Sequence, residues 1–206
     1  MRNFPQISSG VKRLFDIILS FLGLVTTSPL LLLLAILIKK ESPGPAFYRG
    51  KRVGKNGKIF RIFKFRSMVV DAEKLGGPST SADDPRLTKF GKFLRRYQLD
   101  ELPQLINVLK GEMSFVGPRP EVPSEVETYD EETKNIILSV KPGMTDLATL
   151  SDIHEEEILR GSPDPHQTYR EIIKPQKIRL AKEYVKKRNF WLDIKIILKT
   201  LKSAIF

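Results

Sequence analysis

An apolar run from Leu14 to Ile38 constrains this chain more than any other feature, because its 25 residues contain one charge, Asp16. A straight helix of this length would measure about 37 Å, enough to cross the roughly 30 Å hydrocarbon core of a bilayer. The run therefore predicts a membrane helix, with the buried core helix of a soluble domain as the alternative. A charge in such a segment is costly, and we expect Asp16 to pair with a nearby basic residue at the interface.

Three features argue against a simple span. Pro29 lies just past the middle of the run, where it removes one hydrogen bond and kinks a helix. The hydroxyl groups of the three residues before it can bond to the carbonyls that are freed. Both flanks are basic, Lys12-Arg13 before the run and Lys39-Lys40 after it, so the positive-inside tendency places both ends in the cytoplasm. We therefore predict a re-entrant membrane segment, residues 12–40, in which two helices meet at Ser28-Pro29 within one leaflet.

Composition narrows the choice of partners. The chain has 206 residues, no cysteine, a formal net charge of +11 and a sequence pI of about 9.8. A chain of this length can bury a core of its own, and the lack of cysteine excludes disulfides and thiolate metal sites. A balance this basic favours phosphate-bearing partners, namely nucleic acid, anionic lipid or a nucleotide substrate. The membrane segment favours the last two, so we expect no nucleic acid partner.

A β-hairpin is predicted shortly after the membrane segment. Asn56-Gly57 is a strong two-residue turn signal between the strands Tyr48–Val53 and Ile59–Phe65. Basic side chains crowd this hairpin, and they form either a solvated face or a surface that docks on anionic headgroups. These side chains are Arg49, Lys51, Arg52, Lys55, Lys58, Arg61, Lys64 and Arg66.

The C-terminal segment, residues 190–206, has the pattern of an amphipathic helix. Lys195, Lys199 and Lys202 share one face, apolar side chains cover most of the rest, and Trp191 suits the boundary between lipid and water. An interfacial helix is expected, with packing against the body of the protein as the alternative. The chain is then a single domain, 1–206, of class α+β and mostly helical. It comprises the re-entrant membrane segment and a small cytoplasmic part, residues 41–206, with a short β-hairpin and interfacial amphipathic helices.

Two adjacent carboxylates, Asp100 and Glu101, carry the strongest signal for chemistry. An apolar stripe with helical spacing follows them, and Lys110-Gly111 ends it as a C-terminal cap. Pro103 must then lie in the first turn, which puts both carboxylates at a helix N-terminus, where exposed N–H groups favour anions. Adjacent helical residues point about 100° apart, so the two acids suit two different tasks. The alternative is an N-cap and a first-turn acid without chemistry.

Cations flank this acidic pair in the sequence. The GPRP turn, Gly117 to Pro120, is stiff because Pro118 and Pro120 fix their own φ and Pro120 keeps Arg119 out of helical conformation. An arginine held in this way either clamps a phosphate with two hydrogen bonds or forms a solvated surface corner. Arg95-Arg96 adds positive charge just before Asp100.

The run LDELPQLINVLKGEMSFVGPRP, which ends at Pro120, resembles the bacterial sugar transferase family. The resemblance extends from about Val11 to the C-terminus and includes KFRSM at residues 64–68 and KPGMT at residues 141–145. Members of this family are monotopic polyprenyl-phosphate phosphoglycosyl transferases, and this chain is similar to the small members that consist of the catalytic domain alone. Their re-entrant membrane helix is likewise broken at a Ser-Pro pair.

The resemblance implies an activity, a cofactor and roles for the site residues. A sugar 1-phosphate would pass from a UDP-sugar to undecaprenyl phosphate, with release of UMP, at the cytoplasmic face of the bacterial inner membrane. Asp100 would be the nucleophile and a ligand of Mg²⁺, and Glu101 would help to deprotonate or position the lipid phosphate. Membrane lipids are further partners, and formation of a homo-oligomer is left open. The implied substrate-binding residues are Lys64, Arg66, Arg95, Pro118, Arg119 and Pro120.

Other regions carry no site prediction. After Thr145 the sequence Asp146–Ser151 departs from the GWAQVNG-like continuation of many members, which leaves the sugar and nucleobase contacts unpredicted. The acidic residues from Glu121 to Glu132 are expected to form a solvated face, and His154 and His166 to be surface residues. Three other classes fit parts of the sequence: a membrane-bound nucleotide-sugar hydrolase, a basic nucleic-acid binder and a non-enzymatic membrane scaffold.

Overall fold

One long helix forms the N-terminal part of the protein. The computed structural model describes residues 9–76, 79–81, 83–151 and 155–205, and in it helix α1 spans Ser9–Glu41. This helix is long and apolar enough to cross a membrane, and many of its large apolar side chains are exposed, Leu14, Phe21 and Leu32 among them. A core helix of a soluble domain would bury such side chains, so the surface of α1 suits a lipid environment.

The predicted division of the membrane segment into two helices is wrong, because α1 continues through Pro29. Pro29 has no N–H to offer the carbonyl of Val25, four residues earlier. The Ser28 hydroxyl donates to that carbonyl at 2.8 Å, and Thr26 and Thr27 donate to carbonyls of the preceding turn at 2.9 and 2.7 Å. Side-chain hydrogen bonds therefore compensate for the missing backbone bond, as expected from the sequence, and the helical backbone continues.

Four short strands follow α1: β1 Phe47–Tyr48, β2 Lys51–Val53, β3 Ile59–Arg61 and β4 Lys64–Phe65. Strands β2 and β3 pair antiparallel, and so do β1 and β4, which confirms the predicted β-hairpin. The turn is longer than predicted, since it contains a 3₁₀ turn at Lys55–Gly57. Asn56 and Gly57 take positive φ angles of 56° and 75° in it, the conformation that these two residue types tolerate best.

Short helices make up most of the remaining described chain, so the predicted α+β class with mostly helical content is confirmed. The first are α2 Ala72–Leu75, α3 Lys89–Arg96, a 3₁₀ segment Leu99–Gln104, α4 Leu105–Lys110, α5 Pro123–Glu127 and α6 Glu131–Ile137. The later ones are a 3₁₀ turn Leu147–Ser151, α7 Glu155–Ile158, α8 Pro165–Thr168, a π-helical turn Tyr169–Ile173, α9 Lys174–Lys187 and α10 Phe190–Ile205.

Helix α1 lies against the rest of the protein near both of its ends. Close to its start, the Arg13 guanidinium donates to two carbonyls in the last turn of α4, at 2.6 and 2.7 Å. Close to its end, Leu34 and Ile38 are buried together with Phe65 and Leu94. Both ends of α1 are thus held to the same body, whereas most side chains in the middle of the helix are exposed.

Asp16 is buried inside this contact, with 2% of its surface exposed. Its carboxylate accepts hydrogen bonds from the Ser114 hydroxyl and from the Phe115 N–H, each at 3.1 Å. No residue in the described ranges forms an ion pair with it, so the expected basic partner at the membrane interface is a wrong prediction. Neutral donors satisfy the charge instead, and Asp16 joins α1 to the body of the protein rather than to the membrane.

A pair of parallel strands brings together the GPRP turn, residues 117–120, and the KPGMT segment, residues 141–145. Strand β5, Ser114–Val116, pairs with strand β6, Gly143–Thr145. Gly117 and Gly143 lie back to back, since a Cβ on either one would collide with backbone atoms at the other. Glycine at both positions permits this close approach. The turn that carries Arg119 is thereby held against residues 141–143.

Helix α10 confirms the amphipathic segment up to Ile205, and Phe206 lies outside the described residues. Ile196 is fully buried in a cluster with Val116 and Tyr184. On another side of the helix, Trp191 and Leu198 are 67% and 62% exposed. Packing against the body and an exposed apolar face therefore occur on the same helix, while its placement in a membrane interface stays a prediction.

Gly143→Ala is expected to destabilise the protein, because the new methyl group collides with backbone atoms at Gly117. Overpacking of this kind costs roughly 1–3 kcal/mol. Gly10→Ala is the control, since a Cβ at Gly10 meets open space. Thermal unfolding in detergent, followed by circular dichroism, should show a lower midpoint for Gly143→Ala alone. Equal midpoints for the two variants would contradict the close backbone contact.

Candidate active site

Asp100 and Glu101 lie in the first turn of the 3₁₀ segment Leu99–Gln104, which leads directly into α4. Gln98, in the left-handed region at φ 53°, redirects the chain between α3 and this segment. Pro103 is tolerated because it precedes the α-helical hydrogen bonds of α4. The predicted position of both carboxylates at the start of a helix is confirmed.

Lys64, the first residue of β4, brings a cation to both acids. Its Nζ is 2.7 Å from Glu101 Oε1 and 3.9 Å from Asp100 Oδ2. Alternation along the strand explains this placement, because the next residue, Phe65, is 1% exposed and faces the core. Lys64 therefore points the other way, into the carboxylate site.

Arg119 reaches the same cluster from a separate part of the chain. Its Nη2 donates to Glu101 Oε1 at 3.0 Å, and 44% of its side chain is exposed. Pro118 and Pro120 flank it, and the Pro118 carbonyl accepts a hydrogen bond from the Gly143 N–H at 3.0 Å. This bond fixes the turn, so Arg119 extends from a rigid corner and keeps access to solvent.

Arg66 lies apart from this cluster, and its role as a substrate contact stays a prediction. It is 8% exposed, and its guanidinium donates to the carbonyls of Ser42 and Pro43 at 2.9 and 2.5 Å. Strand β4 ends at Phe65, so the alternation that would place Lys64 and Arg66 on one face is interrupted. Arg66 instead fastens the segment that leaves α1.

The two acids have opposite electrostatic environments. Burial raises the pKa of Asp100, and the Glu101 carboxylate adds to this effect against the charges of Lys64, Arg95 and Arg119. Burial also acts to raise the pKa of Glu101, but Lys64 and Arg119 outweigh it and hold that pKa well below its ordinary value of 4.5. Arg95, in the last turn of α3, thus acts on Asp100 as predicted from its charge. Glu101 is ionised at neutral pH, whereas Asp100 holds its proton more tightly than an exposed aspartate.

The acids fit a magnesium ion that is shared with a substrate. Mg²⁺ commonly binds one or two carboxylates and completes its shell with phosphate oxygens and water. No group of three or more metal-binding side chains occurs within the ranges that the structure describes. Asp100 can supply such a carboxylate, because the nearest ammonium, that of Lys64, is 3.9 Å from it. Asp100 would hold the ion, with Glu101 beside it.

A shallow cleft opens beside Arg119. The residues that line it include Pro118, Arg119, Tyr129 and Lys174. Residues 146–148, which begin the stretch that departs from the family sequence, also line this cleft. The departure therefore changes the wall of the cleft and leaves the carboxylate pair intact.

Glu125 contradicts the expectation of a solvated acidic face. It is 1% exposed, and its carboxylate is 2.7 Å from an Arg170 nitrogen and 2.5 Å from Lys174 Nζ. Burial acts to raise the pKa of Glu125, but Arg170 and Lys174 outweigh it and hold the pKa below its usual value. The sequence signal for this burial is Val126, whose side chain belongs to the core.

His166 contacts two other side chains, which is not expected of a solvent-exposed surface histidine. Its Nε2 is 3.3 Å from Glu125 Oε1, and its Nδ1 is 3.0 Å from the Ser79 hydroxyl. The side chain is 25% exposed and links the loop around Ser79 to the buried acid. The prediction for His154 falls outside the described residues.

Glu101→Gln is expected to lower the free energy of unfolding at pH 7 by roughly 1–3 kcal/mol, since the amide oxygen still accepts hydrogen bonds but the negative charge that pairs with Lys64 and Arg119 is lost. The folded-state pKa lies below the unfolded value, so this stabilisation is present above about pH 4.5 and is lost as pH falls further. The difference between wild type and variant, measured by denaturant unfolding, should therefore shrink between pH 7 and pH 3.5.

Glu131→Gln is the matched control, because Glu131 pairs with Lys134 at 2.8 Å but is 80% exposed. Exposed ion pairs contribute little, so this variant should lose less than about 0.5 kcal/mol. A pH-independent gap for Glu101→Gln, or equal losses in the two variants, would contradict the electrostatic analysis of the site.

Comparison with known proteins places the chain in a family. The family model described as bacterial sugar transferase matches residues 7–206. A putative undecaprenyl-phosphate N-acetylgalactosaminyl 1-phosphate transferase of Bacillus subtilis (strain 168) is 50% identical over 123 residues, which cover 60% of this chain and 69% of the relative.

Two further relatives match almost the whole chain. The UDP-N-acetylgalactosamine-undecaprenyl-phosphate N-acetylgalactosaminephosphotransferase of Aeromonas hydrophila is 36% identical over 204 residues, covering 97% of this chain and 44% of the relative. The UDP-glucose:undecaprenyl-phosphate glucose-1-phosphate transferase of Escherichia coli (strain K12) is 41% identical over 200 residues, covering 94% and 40%. The chain thus spans less than half the length of these two relatives. Since the family match extends over residues 7–206, membrane helix and carboxylate cluster included, the chain belongs to the bacterial sugar transferase family.

Proposed function

We propose that this chain transfers a sugar 1-phosphate from a UDP-sugar to undecaprenyl phosphate and releases UMP. The convergence of Asp100, Glu101, Lys64 and Arg119 beside an exposed apolar helix is the observation that carries this proposal. A cluster of carboxylates and cations suits a reaction at a diphosphate, and the helix suits an acceptor that cannot leave the bilayer. The named relatives act with undecaprenyl phosphate but differ in sugar, so the sugar is to be found by experiment.

In the first step, the Asp100 carboxylate attacks the phosphorus that carries the sugar. A bond forms between this phosphorus and the Asp100 oxygen, the bond to the bridging oxygen breaks, and UMP leaves with that oxygen and its electron pair. The attack requires an ionised Asp100, which burial opposes. The charges of Lys64, Arg95 and Arg119 favour the ionised form and lower the barrier to this step.

In the second step, a phosphate oxygen of the lipid attacks the same phosphorus. A new diphosphate linkage forms, the bond to Asp100 breaks, and the carboxylate is regenerated. Arg119 stabilises charge on the phosphoryl oxygens in both steps, and Mg²⁺, when bound, neutralises part of the diphosphate charge. The lowered pKa of Glu101 makes it a weak base, so its main task is to position Lys64 and Arg119 for the incoming phosphate.

The contacts of α1 support a re-entrant arrangement in the membrane. Arg13 and Ile38, near opposite ends of the helix, contact the same body, whereas a perpendicular span would carry one end about 30 Å away. Both basic flanks then lie at the cytoplasmic face of the bacterial inner membrane, and Trp191 on α10 lies in the interface. This monotopic arrangement brings Asp100 to the surface where the soluble and the lipid substrate meet.

Intact mass of the full chain in nanodiscs tests the covalent step. With Mg²⁺ and a panel of UDP-sugars but no lipid acceptor, the wild type is expected to gain the mass of one phosphosugar and to release one UMP per chain. Asp100→Asn should do neither, because an amide does not replace the carboxylate as nucleophile. Asp71→Asn, which neutralises an exposed acid paired with Lys74, should behave as wild type.

Other outcomes of this experiment identify the alternatives. Release of UMP that requires polyprenyl phosphate, without any adduct, would retain the transferase and overturn Asp100 as nucleophile. Equal UMP release with and without the acceptor would favour a nucleotide-sugar hydrolase. In a separate assay in cells, full biological activity of Asp100→Asn would favour a non-enzymatic membrane scaffold.

Variants with a single introduced cysteine test the membrane arrangement, because the chain has no cysteine of its own that a maleimide could label. Gly10→Cys places a thiol near the start of α1, and Lys58→Cys places one in the exposed hairpin turn. In spheroplasts, a membrane-impermeant maleimide should label neither position until the membrane is permeabilised. Labelling of Gly10→Cys alone from the periplasmic side would show a spanning helix and overturn the re-entrant arrangement.

A further inference from the structure

Asn107 carries a buried amide to which the proposed reaction assigns no task. It lies in α4, on the segment that follows the two catalytic acids, and 0% of its surface is exposed. A buried amide is costly unless its donors and its acceptor are paired. The hydrogen-bond partners of Asn107 therefore show which segments it holds together.

The side-chain amide of Asn107 bonds to the link between β3 and β4. Its Oδ1 accepts a hydrogen bond from the Phe63 N–H at 2.8 Å, and its Nδ2 donates to the Arg61 carbonyl at 3.0 Å. Nδ2 also donates to Glu112 Oε2 at 2.6 Å. These partners fix the orientation of the amide, since a backbone N–H can only donate and a carbonyl can only accept. Both polar atoms of the side chain are therefore paired.

The link between β3 and β4 is the point at which the hairpin changes its pairing. Strand β3 pairs with β2 as far as Arg61, and β4 pairs with β1 from Lys64 onward. Ile62 and Phe63 lie between the two strands. A carbonyl and an N–H on either side of one residue are the groups to which a parallel neighbouring strand would bond. The Asn107 amide takes the place of such a strand and joins the link to α4.

This connection sets the spacing between two parts of the carboxylate site. Lys64 follows Phe63 directly, and Glu101 lies on the segment that continues into α4. Ile62 packs in an apolar cluster with a residue of α4, but apolar contact is not directional and does not by itself fix how β4 lies along the helix. Hydrogen bonds are directional, so the amide of Asn107 fixes this position.

We infer that Asn107 is a positioning residue for the proposed transfer, because its amide holds β4 against α4 so that the Lys64 ammonium meets the Glu101 carboxylate. This inference rests on the proposed function and assigns Asn107 no contact with a substrate. Without the amide, the freed groups of the link would bond to water, which does not join them to α4. Lys64 would then lose its fixed place beside the two acids.

A double-mutant cycle on the first chemical step tests this role. Intact mass gives the rate of adduct formation in nanodiscs, with Mg²⁺ and the UDP-sugar that labels wild type, for wild type, Asn107→Ala, Lys64→Met and the double variant. Asn107→Ala is expected to slow the step roughly 10- to 100-fold, since a misplacement of about 1 Å can cost that much. In the Lys64→Met background the same change should cost less than about twofold, because the side chain that Asn107 positions is absent.

Leu159→Ala is the matched control for this cycle. Leu159 is also fully buried, but it belongs to a separate core cluster with Tyr169 and Ile173. Leu159→Ala should change the rate by the same factor in the wild-type and Lys64→Met backgrounds. Equal factors for Asn107→Ala in the two backgrounds would show a merely structural role and overturn the inference. If circular dichroism shows that Asn107→Ala does not fold, Asn107→Ser replaces it.

A second cycle does not depend on sugar transfer. Denaturant unfolding gives the loss of stability that Glu101→Gln causes in wild type and in Asn107→Ala. This loss should be about halved in Asn107→Ala, because Lys64 no longer meets the carboxylate whereas Arg119 still does. An unchanged loss overturns the inference. A reduced loss, together with no adduct on wild type, would overturn the proposed transfer and keep Asn107 as the residue that holds Lys64 in place.

Discussion

The packing of α1 against α4 is the contact on which the rest of the structure depends. Gly23 leaves room for Leu105, because a Cβ built on this glycine would lie 3.1 Å from a methyl carbon of that leucine. Arg13 donates to carbonyls at the C-terminal end of α4. Because α4 continues the segment that carries Asp100 and Glu101, the membrane helix also sets the position of both carboxylates. The apolar helix α1 is thus part of the scaffold that holds the two acids in place.

The pKa values of the adjacent acids Asp100 and Glu101 shift in opposite directions because their electrostatic environments differ. Removal of water disfavours the charge of each, and only cations held by separate segments restore it. Lys64 and Arg119 both contact Glu101, which keeps that acid ionised, whereas the Lys64 ammonium is 3.9 Å from Asp100. Glu101 is thus the point at which the two cations meet, and Asp100 lies beside them. Glu125 resembles Glu101 in this respect, because two cations, Arg170 and Lys174, pair with its carboxylate.

Two turns connect the functional surfaces of the protein. The GPRP turn carries Arg119 to the carboxylate pair, and residues 141–143 pack against this turn through two glycines. The chain then continues into residues 146–148, which line the cleft beside Arg119. The side chains that line this cleft can differ without moving Arg119. The turn that carries Arg119 is held by the backbone contact between Gly117 and Gly143, which depends on glycine at both positions.

The sequence by itself determined the elements whose signals are local: the apolar helix, the hairpin turn at Asn56-Gly57, the Gly111 cap and the stiff turn around Arg119. Each depends on residues a few positions apart, and so does the hydroxyl support that let α1 continue through Pro29. Only the tertiary structure decided the partners of Asp16, Arg66 and Glu125, which lie between 23 and 99 residues away in sequence. A charged side chain is solvated or buried according to the surface that a distant segment brings to it, and no local pattern encodes that surface.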